Sequence, residues 1–224
     1  MNIHLKEYLE IYKTFPIGAY FTKEQRKTRH IMITNWVNSN LQELPTLGEL
    51  IEFIREYKDE IQIIPQFFKK FEAVWLDDVR NGYQFAEFLL EMDFVELVWH
   101  FDISSMDLAE QVLLHNPNHK KALTLKLHVL VRYHDFNLHE LPYGVLVEDN
   151  LEEELKSVQE MEALAKKINL TNRGFEILVD NCKTYYPLWY EYLQEKEKIG
   201  FERFLIAKGI DVENIQKPYV IISQ

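Results

Sequence analysis

Residues 150 to 170, NLEEELKSVQEMEALAKKINL, decide the fold class. Leu151, Leu155, Val158, Ala165 and Ile168 recur at the spacing of a helix with one apolar face, which predicts a helix over 150–169. Asn150 has the side chain that accepts from the first free N–H groups of a helix. Glu152, Glu153 and Glu154 then place negative charge at the positive end of the helix dipole.

The same reading extends in both directions. Downstream, helices are predicted over 173–183 and 187–207, the second opened by Pro187, interrupted at Gly200 and stopped by Gly209. The tail PYVIIS, 218–223, is the best strand candidate. Upstream, a loop holds Pro142 and Gly144, and a helix is expected from near His119 to about Tyr133. Ser104 or Ser105 caps a helix through Leu108, Val112 and Leu113 that ends at Asn116-Pro117.

Residues 83 to 99, YQFAEFLLEMDFVELVW, are apolar on nearly every side and predict a helix central to the core. Pro65 opens a helix with an aromatic face of Phe67, Phe68, Phe71 and Trp75, closed at Asn81-Gly82. Thr46 and Glu49 have capping-box spacing ahead of Leu47, Leu50, Ile51, Ile54 and Tyr57, a helix over 46–58. Two further helices are read over 3–15 and 23–38. The expectation is an all-α protein, an irregular bundle or a helical superhelix with a short C-terminal strand, in one domain over 1–224.

Composition agrees. Only 7 of 224 residues are Gly while 13% are aromatic, which favours long helices over tight turns. Hydrophobic residues at 47% and charged residues at 27% are globular proportions that argue against disorder. A lone Cys182 excludes an intramolecular disulfide and points to a reducing compartment. No apolar run reaches the roughly 18 residues of a membrane span, and residues 1–15 lack the pattern of a leader, so a cytoplasmic location is expected. A net charge of −11 disfavours nucleic acid and favours a basic protein partner.

The junction DLAEQVLLHNPNHKKALTLKL, from Asp107 to Leu127, resembles the boundary between two tetratricopeptide repeats: an amphipathic helix, Asn-Pro, and a helix opening Lys-Ala-Leu. In that family Pro117 would end one repeat, and Ala122 and Leu123 would enter the next. The resemblance implies a right-handed stack of helical hairpins whose concave side binds a peptide or another protein.

Two groups of residues are candidates for a site. Tyr185, Tyr186, Trp189, Tyr190 and Tyr192 combine apolar area with polar handles, the chemistry of interface hot spots; packing in the core is the competing reading. Asp93, Glu96 and His100, at i, i+3 and i+7 on the helix over 83–99, would share one face where carboxylates need a partner or a metal. With Asp135 and His139 they are similar in ingredients to the helices of di-iron and haem-oxygenase-like proteins, which implies a helical metalloenzyme as the alternative.

Other features carry less. Five histidines, His115, His119, His128, His134 and His139, fall close together, but His134 projects onto the face of Leu123 and Leu127 while His128 projects opposite, so they cannot share an ion. Lys23, Arg26, Lys27, Arg29 and His30 form the basic cluster, read as a solvated helix face. Cys182 reads as a buried helical thiol. Phosphate loops, nucleophile elbows and zinc helices are missing from the sequence. The function expected is therefore a non-enzymatic, cytoplasmic protein-interaction module that needs no cofactor and touches neither nucleic acid nor membrane. An inhibitor or immunity-type protein masking a basic partner is its narrower version.

Overall fold

The structure, a computed structural model, describes residues 1–141, 150–197 and 199–210, with the side chain of Val98 outside that set. The described residues form eleven α-helices and one 3-10 helix and no strand, an all-α protein as expected. The strand candidate at 218–223 and the loop of Pro142 and Gly144 lie outside the described residues. The chain divides into two compact units, Met1–His115 and Asn116–Gln224.

The first unit contains α1 (Ile3–Thr14), α2 (Lys23–Asn38), α3 (Leu47–Tyr57), α4 (Pro65–Lys70), α5 (Glu72–Asn81), α6 (Gln84–Glu91), the 3-10 helix Val95–Phe101 and α7 (Ser105–His115). Thr46 and Glu49 make the predicted capping box of α3, and Thr22 with Gln25 makes a second at α2. Phe67, wholly buried, is the centre of the core: the rings of Tyr8, Trp36, Phe53, Phe68 and Phe71 all stand within 6.2 Å of it. Two buried indole N–H groups of this unit find backbone acceptors, Trp36 on the His4 carbonyl and Trp75 on the Phe68 carbonyl, each at 2.8 Å. The Lys70 ammonium lies over the Trp36 ring and donates to the Trp36 and Ser39 carbonyls at 2.6 and 2.7 Å, closing the C-terminus of α2 with a cation as its dipole requires.

The helix expected over 83–99 is shorter. α6 stops at Glu91, because Asp93 takes a left-handed conformation (φ 57°) and the Phe94 N–H reaches back to the Leu89 carbonyl at 2.9 Å, a Schellman closure with Asp in the place of Gly. Asn169 (φ 55°) and Gly209 (φ 78°) close α9 and α11 in the same way, through Leu170 to Ala165 and Ile210 to Leu205.

The second unit contains α8 (Lys120–Glu140), α9 (Leu151–Lys167), α10 (Arg173–Gln194) and α11 (Phe201–Ala207). α8, α9 and α10 pack mutually as a three-helix bundle, and α11 folds onto α10. The acidic first turn and Asn150 cap of α9 are as predicted. Two expectations are corrected. α8 does not end near Tyr133: His134 and Asn137 turn inward and are buried, so their polar atoms are satisfied across the bundle and the helix continues to Glu140. α10 does not stop at 183: it runs through Pro187, held by the buried Cys182, Tyr186, Trp189 and Tyr192, and the break comes later, before Gly200 (φ 94°).

Candidate interaction surfaces

The aromatic group on α10 divides between inside and outside. Tyr186, Trp189 and Tyr192 are buried, Tyr185 and Tyr190 half-buried. Trp189 and Tyr192 pack with Phe201 and Phe204 to seat α11. Residue chemistry singled out the five without showing that α8 would take Tyr186 and α11 would cover Trp189 and Tyr192.

Tyr186 belongs to a buried polar network that joins three helices. Its hydroxyl lies 2.8 Å from His134 Nδ1, while His134 Nε2 lies 3.0 Å from Ser157 Oγ. The Tyr133 hydroxyl donates to Glu154 Oε1 at 2.7 Å, and Glu154 Oε2 stands 3.9 Å from His134 Nδ1. Burial, with no exposed surface left on the ring, pushes His134 down to about 4, and pushes the Cys182 thiol beside Tyr186 up to about 12. A serine, a histidine and a carboxylate together invite a nucleophilic reading. However, an imidazole that protonates only near pH 4 is a poor base, and Ser157 sits in mid-helix, where neighbouring N–H groups are engaged in the helix itself. The network fixes the register of α8, α9 and α10.

The candidate metal ligands are not brought onto one helix face. Asp93 lies in the turn after α6, Glu96 and His100 lie in the 3-10 helix, and all three are exposed. Asp135 and His139 are helical rather than in a loop, and exposed on α8 of the other unit. Among the described residues no group of three or more His, Cys, Asp or Glu could hold a metal ion. Of the other histidines, His119 caps α8 by accepting from the Ala122 N–H at 3.2 Å.

What the same segment does present is Trp99, which sequence reasoning had placed inside the core. The residue is 54% exposed on the 3-10 helix, with Nε1 donating to Ser105 Oγ at 3.3 Å. Phe101, two residues on, is buried edge-on against Trp75 at 4.9 Å and anchors the segment from below. Two left-handed aspartates, Asp93 and Asp102, bracket it, and Glu96 stands between them. These belong to a strongly acidic stretch: between Glu43 and Glu110 sixteen Asp and Glu face five Lys and Arg, whereas residues 1–42 carry three Glu against six Lys and Arg. The signal available in the sequence was the acids themselves, since Asp93, Glu96 and Asp102 within an apolar run mark a segment with one wet side.

No helix among the described residues is long and apolar enough to cross a membrane. No protein-family model, curated protein or solved structure matches this chain.

Proposed function

We propose that this chain is a cytoplasmic protein-interaction module, without enzymatic activity, that presents the acidic surface around Trp99 to a basic protein. The observation that carries the reading is an exposed tryptophan held on a buried aromatic anchor and flanked by Asp93, Glu96 and Asp102. Tryptophan is the side chain most enriched at interface hot spots, and a segment with more acids than cations, Lys69 over the Phe101 ring being the cation there, steers a basic partner to it. The resemblance of Asp107–Leu127 to a tetratricopeptide junction points to the same class of function, and an inhibitor that masks a basic surface is the narrower form of it.

The test is affinity capture from a lysate of the cells that make the protein, at low and high salt, with three baits: the native chain, Trp99→Ala, and Glu96→Lys with Asp102→Lys. A basic protein retained at low salt by the native chain and lost from both variants is the expected result. Retention of the same proteins by all three baits, or of none by the native chain, would overturn the reading.

A further inference from the structure

The segment that joins α1 to α2 is unlike the rest of the surface. Pro16, Ile17, Gly18, Ala19 and Tyr20 are all exposed and none carries a charge. Ile17 is 48% and Tyr20 95% exposed. The segment is held out as a formed turn. Phe15, buried, packs edge-on against the half-buried Phe21 at 5.6 Å across its base, the Ala19 N–H donates to the Pro16 carbonyl, and Gly18 supplies the left-handed residue (φ 80°).

A collar of cations follows at once. Thr22 caps α2, and Lys23, Arg26 and Lys27 are exposed on its first turns, within about 6 Å along the axis, with one acid, Glu24, exposed beside them. Arg29 is the exception: it turns inward over the Tyr12 ring and donates to the Gln62 side chain. α2 commits little of itself to the core, Trp36 being its one buried residue.

We propose that the Pro16–Tyr20 loop and the outward face of the first half of α2 dock peripherally on an anionic lipid surface. The uncharged tip enters the boundary between headgroups and acyl chains, where a tyrosine keeps its hydroxyl wet, and the collar meets lipid phosphates and carboxylates. An acidic protein would satisfy the collar but gives no reason for a charge-free, aromatic tip. The acids between Glu43 and Glu110 oppose this docking only within a Debye length of about 8 Å at physiological salt. Such docking needs no spanning helix, and it departs from the sequence expectation that the chain avoids membranes. Its residues are not those of the Trp99 surface, so the two proposals stand or fall separately.

The experiment is co-sedimentation of the full chain with vesicles of phosphatidylcholine alone and of phosphatidylcholine mixed with phosphatidylserine, at low and high salt. Two double variants at exposed positions accompany it, Ile17→Ser with Tyr20→Ser and Lys23→Glu with Lys27→Glu, each checked for native helicity by circular dichroism. The native chain is expected to pellet with the mixed vesicles at low salt and not with phosphatidylcholine alone. Each double variant weakens binding by about ten-fold or more. A native chain that stays in the supernatant with mixed vesicles overturns the proposal, and binding to polyglutamate under those conditions would reassign the collar to an acidic protein. Pelleting that survives both double variants overturns it as well.

Discussion

His134 is the residue on which the second unit depends most visibly, because its two ring nitrogens hold Tyr186 of α10 and Ser157 of α9 from a position with no exposed surface. The titratable groups facing it are Tyr133 on α8, Glu154 on α9 and Tyr186 and Cys182 on α10. Its folded value of about 4 lies below the 6.5 of a free histidine, so the unfolded chain takes up the proton first. The stability it contributes is complete above about pH 6.5 and is lost as pH falls toward 4. Hydrogen exchange of α8, α9 and α10 is expected to report a loss of about 2–3 kcal/mol between pH 7 and 4.5, with His134→Gln showing a flatter slope. An equal slope in the variant would show that the effect does not come from His134. A second comparison concerns indoles. Trp189 is buried with no hydrogen-bond partner for Nε1 among the described residues, whereas Trp75 Nε1 donates to the Phe68 carbonyl. Replacing either with Phe removes the same ring area, but Trp75→Phe also strands an acceptor. Urea unfolding should show it costlier than Trp189→Phe by about 1–2 kcal/mol.

At the level of elements, the closures rather than the periodicity set where helices end, and Gly82 gives a direct test. It separates α5 from α6, and a Cβ there would stand 2.3 Å from Asp78 Oδ2, while Asp78 Oδ1 accepts from the Phe85 N–H at 2.6 Å at the start of α6. Gly82→Ala must displace that carboxylate, so it should lower stability by about 1–3 kcal/mol, read as a shift of the thermal midpoint. Addition of Asp78→Ala should recover little, because the cap of α6 is then gone. Caps with strong side-chain preferences were legible: Thr46 with Glu49, Asn150 and the acidic turn after it all lie where the sequence places them. Asp93 was not, because a left-handed aspartate looks like any other polar residue inside an apolar run, and the error carried Asp93, Glu96 and His100 onto a helix face they do not share and Trp99 into the core. His134 and Asn137 misled in the opposite sense. Polar side chains argue for a helix end until tertiary partners such as Tyr186 satisfy them, although the projection that set His134 beside Leu123 and Leu127 had already turned it inward. The aromatic group on α10 was legible as residue chemistry, but composition does not say whether a neighbour covers it, and α11 covers Trp189 and Tyr192.

For the molecule as a whole, charge is the property that sequence fixes most firmly and that pH changes most. At neutral pH the net charge of −11 opposes the approach of copies, and at the isoelectric point, near 5.2, that net repulsion disappears. The same interval lies within the window in which His134 destabilises the second unit, so two distinct events overlap. They can be separated. Light scattering of the native chain should show association rising toward pH 5 and falling again below it, with added salt reducing the difference between pH 7 and pH 5 because salt screens the repulsion already present at pH 7. His134→Gln leaves the net charge at neutral pH unchanged, so its scattering maximum should stay near pH 5 while its hydrogen-exchange profile flattens. A maximum that moves or vanishes in this variant would mean that association proceeds through an opened second unit rather than through loss of charge, and the apolar interior of α8 to α10 would then be the surface that copies share.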